Sequence, residues 1–104
     1  ELYSLFGNAI ENAIHAVQKL DREKRVISVT EQTFGNLVNL CFVNFFDGQI
    51  DYEDGLPTNR AEDHGYGVKS IKMIAEDYGG RVHVQVHDDL FALNIFFPVR
   101  VSAE

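Results

Sequence analysis

His64-Gly65-Tyr66-Gly67-Val68-Lys69-Ser70-Ile71 is a glycine-punctuated segment that runs straight into an amphipathic pattern. Its chemistry suits an anion. Two glycines let main-chain N–H groups approach a phosphate closely, and the N-terminus of the helix that follows carries about half a positive charge. A second constellation lies upstream, where Asn8, Glu11, Asn12 and His15 form a polar stripe on an otherwise apolar helix pattern. Asn8 and Asn12 stand one turn apart, so both amides point the same way. Glu1, Ser4, Gln18 and Lys19 continue the stripe, and a solvated helix face is the competing reading.

These groups need elements to position them. Leu2, Leu5, Phe6, Ala9, Ala13, Ala16, Val17 and Leu20 recur at helical spacing and predict a first helix of about five turns, ending in the charged run Asp21 to Arg25. Val26 to Glu31 and Leu37 to Phe46 are rich in β-branched and aromatic residues and predict an antiparallel pair, joined through Thr33-Phe34-Gly35-Asn36. From Asp47 to Asp63 there is no period, and Gly48, Gly55, Pro57 and several acids predict a loop long enough to serve as a lid. A second helix is expected from about Tyr66 to Tyr78, with Val68, Ile71, Ile74, Ala75 and Tyr78 on one face and Gly79-Gly80 as its stop. Val82, Val84 and Val86 then alternate with Arg81, His83, Gln85 and His87, Asp88-Asp89 turns the chain, and Leu90 to Phe97 returns as a buried strand closed by Pro98. Helix, two strands, lid, helix and two strands imply an α+β two-layer sandwich, a mostly antiparallel sheet covered by helices on one face.

Composition narrows the function. The 104 residues suit a single domain, 1–104, and 45% hydrophobic residues with eight Phe make it globular. The one cysteine, Cys41, excludes an internal disulfide. A net charge of −7 repels polyanions, which speaks against nucleic acid or an anionic membrane as partner and requires any phosphate site to work through local donors. The chain opens on Glu1 inside a helical pattern, as expected of an N-terminally truncated fragment, and carries no run of about 18 apolar residues. His83 and His87 share a strand face but stand about 13 Å apart at the strand rise, too far to chelate one ion. Phe91, Phe96 and Phe97 are expected in the core.

Asn8-Ala9-Ile10-Glu11-Asn12-Ala13-Ile14, Asn44 with Asp47-Gly48, His64-Gly65-Tyr66-Gly67-Val68 and Tyr78-Gly79-Gly80 resemble, in order and spacing, the ATP-binding domain of sensor histidine kinases. That domain belongs to the GHKL superfamily, shared with gyrase-type ATPases, and the likeness is to the short-lid subgroup of peptide-pheromone receptor kinases. It covers essentially the whole chain, lacking only the first strand or strands. It implies the Bergerat-type ATP-binding fold, with a lid at about 47–63.

The resemblance also implies roles. Asn12 would hold the Mg²⁺ that bridges the ATP phosphates, a neutral oxygen ligand beside a polyphosphate. Asn8 would support the phosphates or a metal-bound water, and His15 falls where the family often carries a basic or polar residue near them. Asn8 also stands where gyrase-type hydrolases carry the water-activating glutamate, which argues against efficient ATP hydrolysis. Asn44 replaces the family's usual aspartate at the adenine amino group, since an amide carbonyl accepts the same bond, and Gly48 arrives four residues later rather than two. Alternatively, Asn44 and Asp47-Gly48 simply end a strand and turn the chain. Gly65, Tyr66, Gly67 and Val68 would admit the phosphates to the second helix, His64 replaces the first glycine of the fuller motif, and Lys69 or Arg60 would reach the β- or γ-phosphate or serve as surface charge.

The function so implied is that of the catalytic half of a histidine kinase, moving the γ-phosphoryl of Mg-ATP to a histidine on a separate dimerisation helix. The full protein would be a homodimer in a bacterial membrane, with this domain in the cytoplasm and a response regulator as partner. A non-catalytic nucleotide-binding or interaction module, and a serine kinase of the anti-sigma-factor type, are the alternatives.

Overall fold

The repeat of Leu5, Ala9, Ala13 and Val17 at every fourth position lays one seam along α1 (Leu2–Gln18), and all four are buried. The computed structural model describes residues 2–53, 56–58 and 67–99. At about 100° per residue, Asn8 and Asn12 fall on one flank of the seam and Phe6, Ile10 and Ile14 on the other. The helix ends two residues before Leu20, and Arg22–Lys24 form a single 3₁₀ turn.

Two hairpins build the sheet. β1 (Ile27–Phe34) pairs antiparallel with β2 (Leu37–Phe45) through Gly35-Asn36, tighter than the four-residue connection expected. Gly35 takes φ 60°, which the first residue of a two-residue hairpin loop needs and which glycine adopts at no steric cost. A short hairpin follows, β3 (Asp51–Glu53) with β4 (Leu56–Thr58). The lid was expected to be a loop without period and in fact contains this pair. Next come α2 (Val68–Asp77), β5 (Arg81–His87) and β6 (Leu90–Pro98). β5 and β6 pair antiparallel about Asp88-Asp89, where Asp88 has φ 56°. The sheet order is β1-β2-β6-β5, so the two hairpins join through β2 and β6 at the centre.

Register sets the faces. Val29, Phe42, Leu93 and Val84 form one row across the sheet, and Ile27, Asn44, Phe91 and Val86 the next. This face meets the helices: Phe42, Phe91, Leu93 and Ile95 share one core with Leu5 and Ala9 of α1 and Val68, Ile71 and Ala75 of α2. Burying a Leu, Ile or Phe side chain contributes about 1.5–3 kcal/mol. Phe97 packs against the same core, whereas Phe96 does not: the two-residue period turns it to the helix-free face beside Asn39 and Arg81. His83 and His87 also lie on the helix-free face and are exposed, and among the described residues no cluster suits a metal ion.

Gly79 and Gly80 stop α2 for separate reasons. Gly79 takes φ 77°, and the N–H groups of Gly79 and Gly80 close back on the carbonyls of Glu76 and Ala75 at 3.0 and 2.8 Å, a Schellman end. Gly80 is buried against β6. A Cβ there would press on the Phe96 carbonyl oxygen and stand 2.8 Å from Cδ1 of Phe97.

One end of the sheet is fastened by a pair that sequence order conceals. Lys24 Nζ donates to Asp89 Oδ2 at 2.9 Å and lies 5.7 Å from the centre of the Phe45 ring, while the Phe46 N–H donates to the Asp89 carbonyl at 2.9 Å. The connection after α1, the exit of β2 and the β5–β6 turn therefore meet there. The hydrogen bond from Lys24 holds the Asp89 carboxyl below its usual 3.8, and the bond to Asp89 raises Lys24 above 10.5.

Two measurements follow. Gly80→Ala should lose about 1–3 kcal/mol of stability through overpacking against β6, read as a lower thermal midpoint; an unchanged midpoint would mean that the close approach of α2's end to the sheet is not kept in solution. A depressed carboxyl stabilises above its unfolded value and loses that contribution as pH falls through its folded value. Carboxyl NMR should therefore find Asp89 titrating below 3.8 and returning towards that value in Lys24→Gln, with no change if the pair does not form.

Candidate functional site

The candidate residues come from three elements that pack on one another: α1 touches both β2 and α2. Asn8, Asn12 and His15 are each half-buried on α1, with Asn8 and Asn12 on the same flank of the seam, and Glu11 is exposed. This is the posture of groups held at the margin of a core, able to meet solvent or a ligand on one side. His15 sits in the last turn of α1.

Asn44 is the one polar residue among the buried described positions, at 2% exposure near the end of β2. Its Nδ2 donates to the Phe45 carbonyl at 2.8 Å. A buried amide without partners would cost about 1–3 kcal/mol, so this bond offsets part of the cost of placing Asn44 in the row between Ile27 and Phe91. The chain then leaves the sheet. Phe46 is buried edge-on to Phe91, with ring centres 6.0 Å apart, and Asp47 Oδ1 accepts the Gln49 N–H at 2.9 Å. Gly48 takes φ 84° and is exposed, turning the chain past the β5–β6 hairpin.

Gly67 caps α2 from outside the helix with φ −77° and ψ 177°. Any residue can adopt this conformation, and a Cβ built there would meet nothing within 4 Å. Neither the backbone nor the packing of the described chain therefore requires glycine at this position. Gly67 has no side chain to cap α2 and no acid occupies the helix's first turn, an end at which an external anion is favoured. Val68, 3% exposed, anchors that turn in the core, and Lys69 beside it is exposed. Gly65 and Tyr66, like His64 and Arg60, lie outside the described residues.

The amide pair lies on α1, which packs both on α2, the helix that starts after Gly67, and on β2, the strand that carries the buried amide of Asn44 near its end. Among the described residues no acyl-transfer set accompanies them. Burial pushes the Cys41 thiol up, against a smaller opposing effect of its hydrogen bond with Thr30, so it is not poised as a thiolate. The Lys24–Asp89 pair and the Phe45 carbonyl escape sequence reading altogether: the pair spans 65 positions, and a main-chain oxygen has no residue type to reveal it.

The family model for the GHKL domain matches residues 1–98. Among curated proteins none matches this chain. Among solved structures, the chain is similar to the histidine kinase domain of the E. coli osmosensor EnvZ, determined by NMR, with a TM-score of 0.53 and 16% identity over 92% of this chain and 67% of that one. At that identity the likeness is one of fold, and the fold agrees with two helices laid on one face of an antiparallel sheet. With its motifs in order, its layers in place and the family model spanning nearly its whole length, the chain belongs to the GHKL family.

Proposed function

We propose that this domain binds Mg-ATP and serves as the catalytic portion of a sensor histidine kinase, passing the γ-phosphoryl to a histidine on a separate dimerisation helix. The observation that carries this reading is the α2 N-terminus at Gly67, where the capping residue has no side chain, the first turn holds no acid and an added Cβ would meet nothing of the described chain within 4 Å. In a chain of net charge −7, an anion needs such local donors to bind at all.

In this reading the first-turn N–H groups of α2 hold the phosphates, with Gly65 and Tyr66 completing the approach. Asn12 would hold Mg²⁺ and Asn8 would support the phosphates or a metal-bound water. When bound, the ion neutralises phosphate charge and orients the chain of phosphates. His15 and Lys69 flank the same region, and Asn44 accepts from the adenine amino group, with Gly48 turning the chain beside it. The phosphoacceptor imidazole attacks the γ-phosphorus, the bond to the β–γ bridging oxygen breaks, and ADP leaves. Because the imidazole is already a competent nucleophile, the domain contributes positioning and charge stabilisation. The response regulator, the homodimer and a membrane-bound sensor remain parts of the same proposal. Among the described residues no helix is long and apolar enough to cross a membrane. His64 and the altered adenine motif favour, as a second reading, a nucleotide-binding module that has lost transfer.

A non-hydrolysable ATP analogue at about 100 times its dissociation constant should stabilise the domain by about 2.7 kcal/mol, and only with Mg²⁺. Asn12→Ala should abolish the Mg²⁺-dependent part; a shift that survives would remove Asn12 from the metal. Gly67→Ala should change the ligand-free midpoint little, by about 1 kcal/mol or less as cap substitutions do, yet weaken nucleotide binding, and equal affinity would show that the phosphates bind elsewhere. In a longer chain carrying the dimerisation helix, acid-labile labelling from ATP supports histidine transfer, acid-stable labelling a serine kinase, and binding without labelling the second reading.

A further inference from the structure

The helix-free face of the sheet differs in charge from the rest of the chain. Sixteen Asp and Glu stand against nine Lys and Arg, yet no acid falls at the alternate positions of β1, β2, β6 and β5 that make up this face. Its centre is small and uncharged, with Thr30, Cys41 and Asn94 in one cross-strand row and Ser28, Val43 and Ala92 in the next. Gln32, Asn39 and Gln85 place amides around that centre. The one permanent charge at these positions is Arg81, on the outer strand β5. At the margin, Lys24 reaches the Phe45 ring but is paired with Asp89, and Asp88 lies 3.5 Å from His87. Among the described residues no helix covers this face.

We propose that this face pairs with the same face of a second copy of the chain, forming a weak dimer of two stacked sheets. Two molecules of net charge −7 repel each other, and a face without carboxylates is where they can meet. Pairing about a twofold axis also requires a surface complementary to itself. Amides and hydroxyls each carry a donor and an acceptor, so Ser28, Thr30, Gln32, Asn39, Gln85 and Asn94 meet that requirement, as a face of lysines would not. Small side chains in the middle let two sheets approach to the about 10 Å of face-to-face packing. With the axis along the strands, β2 lies over the partner's β6 and β5 over the partner's β1. Arg81 then meets a strand whose side chains on this face are uncharged, and Ala92 meets the partner's Val43. Four strands about 4.8 Å apart and about 25 Å long offer about 500 Å² from each copy, the lower end of specific interfaces, so the dimer is a transient one. Both helices lie on the other face, and pairing leaves Asn8, Asn12 and the start of α2 on the outside. The contact is independent of the nucleotide reading and separate from any that a dimerisation helix would make.

Sedimentation equilibrium of the unmodified chain, from micromolar to millimolar concentration, should show a monomer–dimer equilibrium. It should strengthen with added salt, which screens the repulsion between two acidic copies. Ala92→Glu puts a carboxylate in the middle of the paired faces, and Gln85→Glu puts one on the outer strand with hardly a change of shape. Each should raise the dissociation constant about tenfold or more, because the charge is desolvated without a partner. Met73→Glu adds the same charge at an exposed position of α2 and should leave the equilibrium nearly unchanged. A chain that stays monomeric throughout, or a dimer that neither sheet variant weakens, overturns the inference. So does association that weakens with salt, the mark of acid meeting base rather than like faces meeting. An equal loss in Met73→Glu would assign the effect to net charge and overturn it as well. Should Ala92→Glu not fold, Gln85→Glu, at an exposed position, decides the matter.

Discussion

Small residues on the helices set against large ones on the sheet fix the distance between the two layers, and everything at the site inherits that distance. Ala9 and Ala13 on α1 and Ala75 on α2 are at most 1% exposed. Ala9 and Ala75 share one core with Phe42, Phe91, Leu93 and Ile95 of the sheet. Interiors pack at crystal-like density, so a larger side chain at Ala9 or Ala75 would lift a helix from the sheet. Asn8 precedes Ala9 and Asn12 precedes Ala13, which means the amide pair rides at a height set by its alanine neighbours. Gly80 does the same for α2: contact with β6 at the helix end and Val68 in the core at its start leave the helix little freedom to slide.

The two hairpins and both helices were legible because their signals are local. Alternation marks β5, an apolar run between Asp88-Asp89 and Pro98 marks β6, Gly35-Asn36 lies in the turn expected between β1 and β2, and a four-residue repeat marks α1. The β3–β4 pair was not legible. Asp51, Glu53 and Pro57 are poor strand formers, and β4 lies against α2, so its pairing is a product of tertiary contact rather than propensity. Phe96 was misread for a simpler reason. Adjacent strand residues face opposite ways, so Phe96 and Phe97 could not both have entered the core, and the period carried that information. At the site, the residue types of Asn8, Asn12, Asn44 and Gly67 were readable, as was their motif order. What Asn44 bonds to was not, because the partner is a main-chain oxygen exposed only by where one ladder ends.

The electrostatics are local throughout. An acidic surface discourages anions at long range, while α2's first turn, which holds no acid, offers an anion the positive end of a helix dipole at short range. The Lys24–Asp89 pair is exposed on both sides, and pairs of that kind add little stability. Its role is geometric, in holding the connection after α1, the exit of β2 and the β5–β6 turn at one corner. Asn44 sits one residue inside that corner.

The central joint of the sheet has a kinetic side. Each outer strand meets its inner neighbour through a two-residue loop, whereas β2 and β6 meet only after everything between Phe45 and Leu90 has been brought round. Local hairpins form in microseconds, and non-local pairing must first overcome loop-closure entropy. That entropy grows logarithmically, by about 0.6 kcal/mol for each doubling of the loop. The segment after β2 is therefore a place where evolution can lengthen or shorten the chain at small cost to assembly of the sheet.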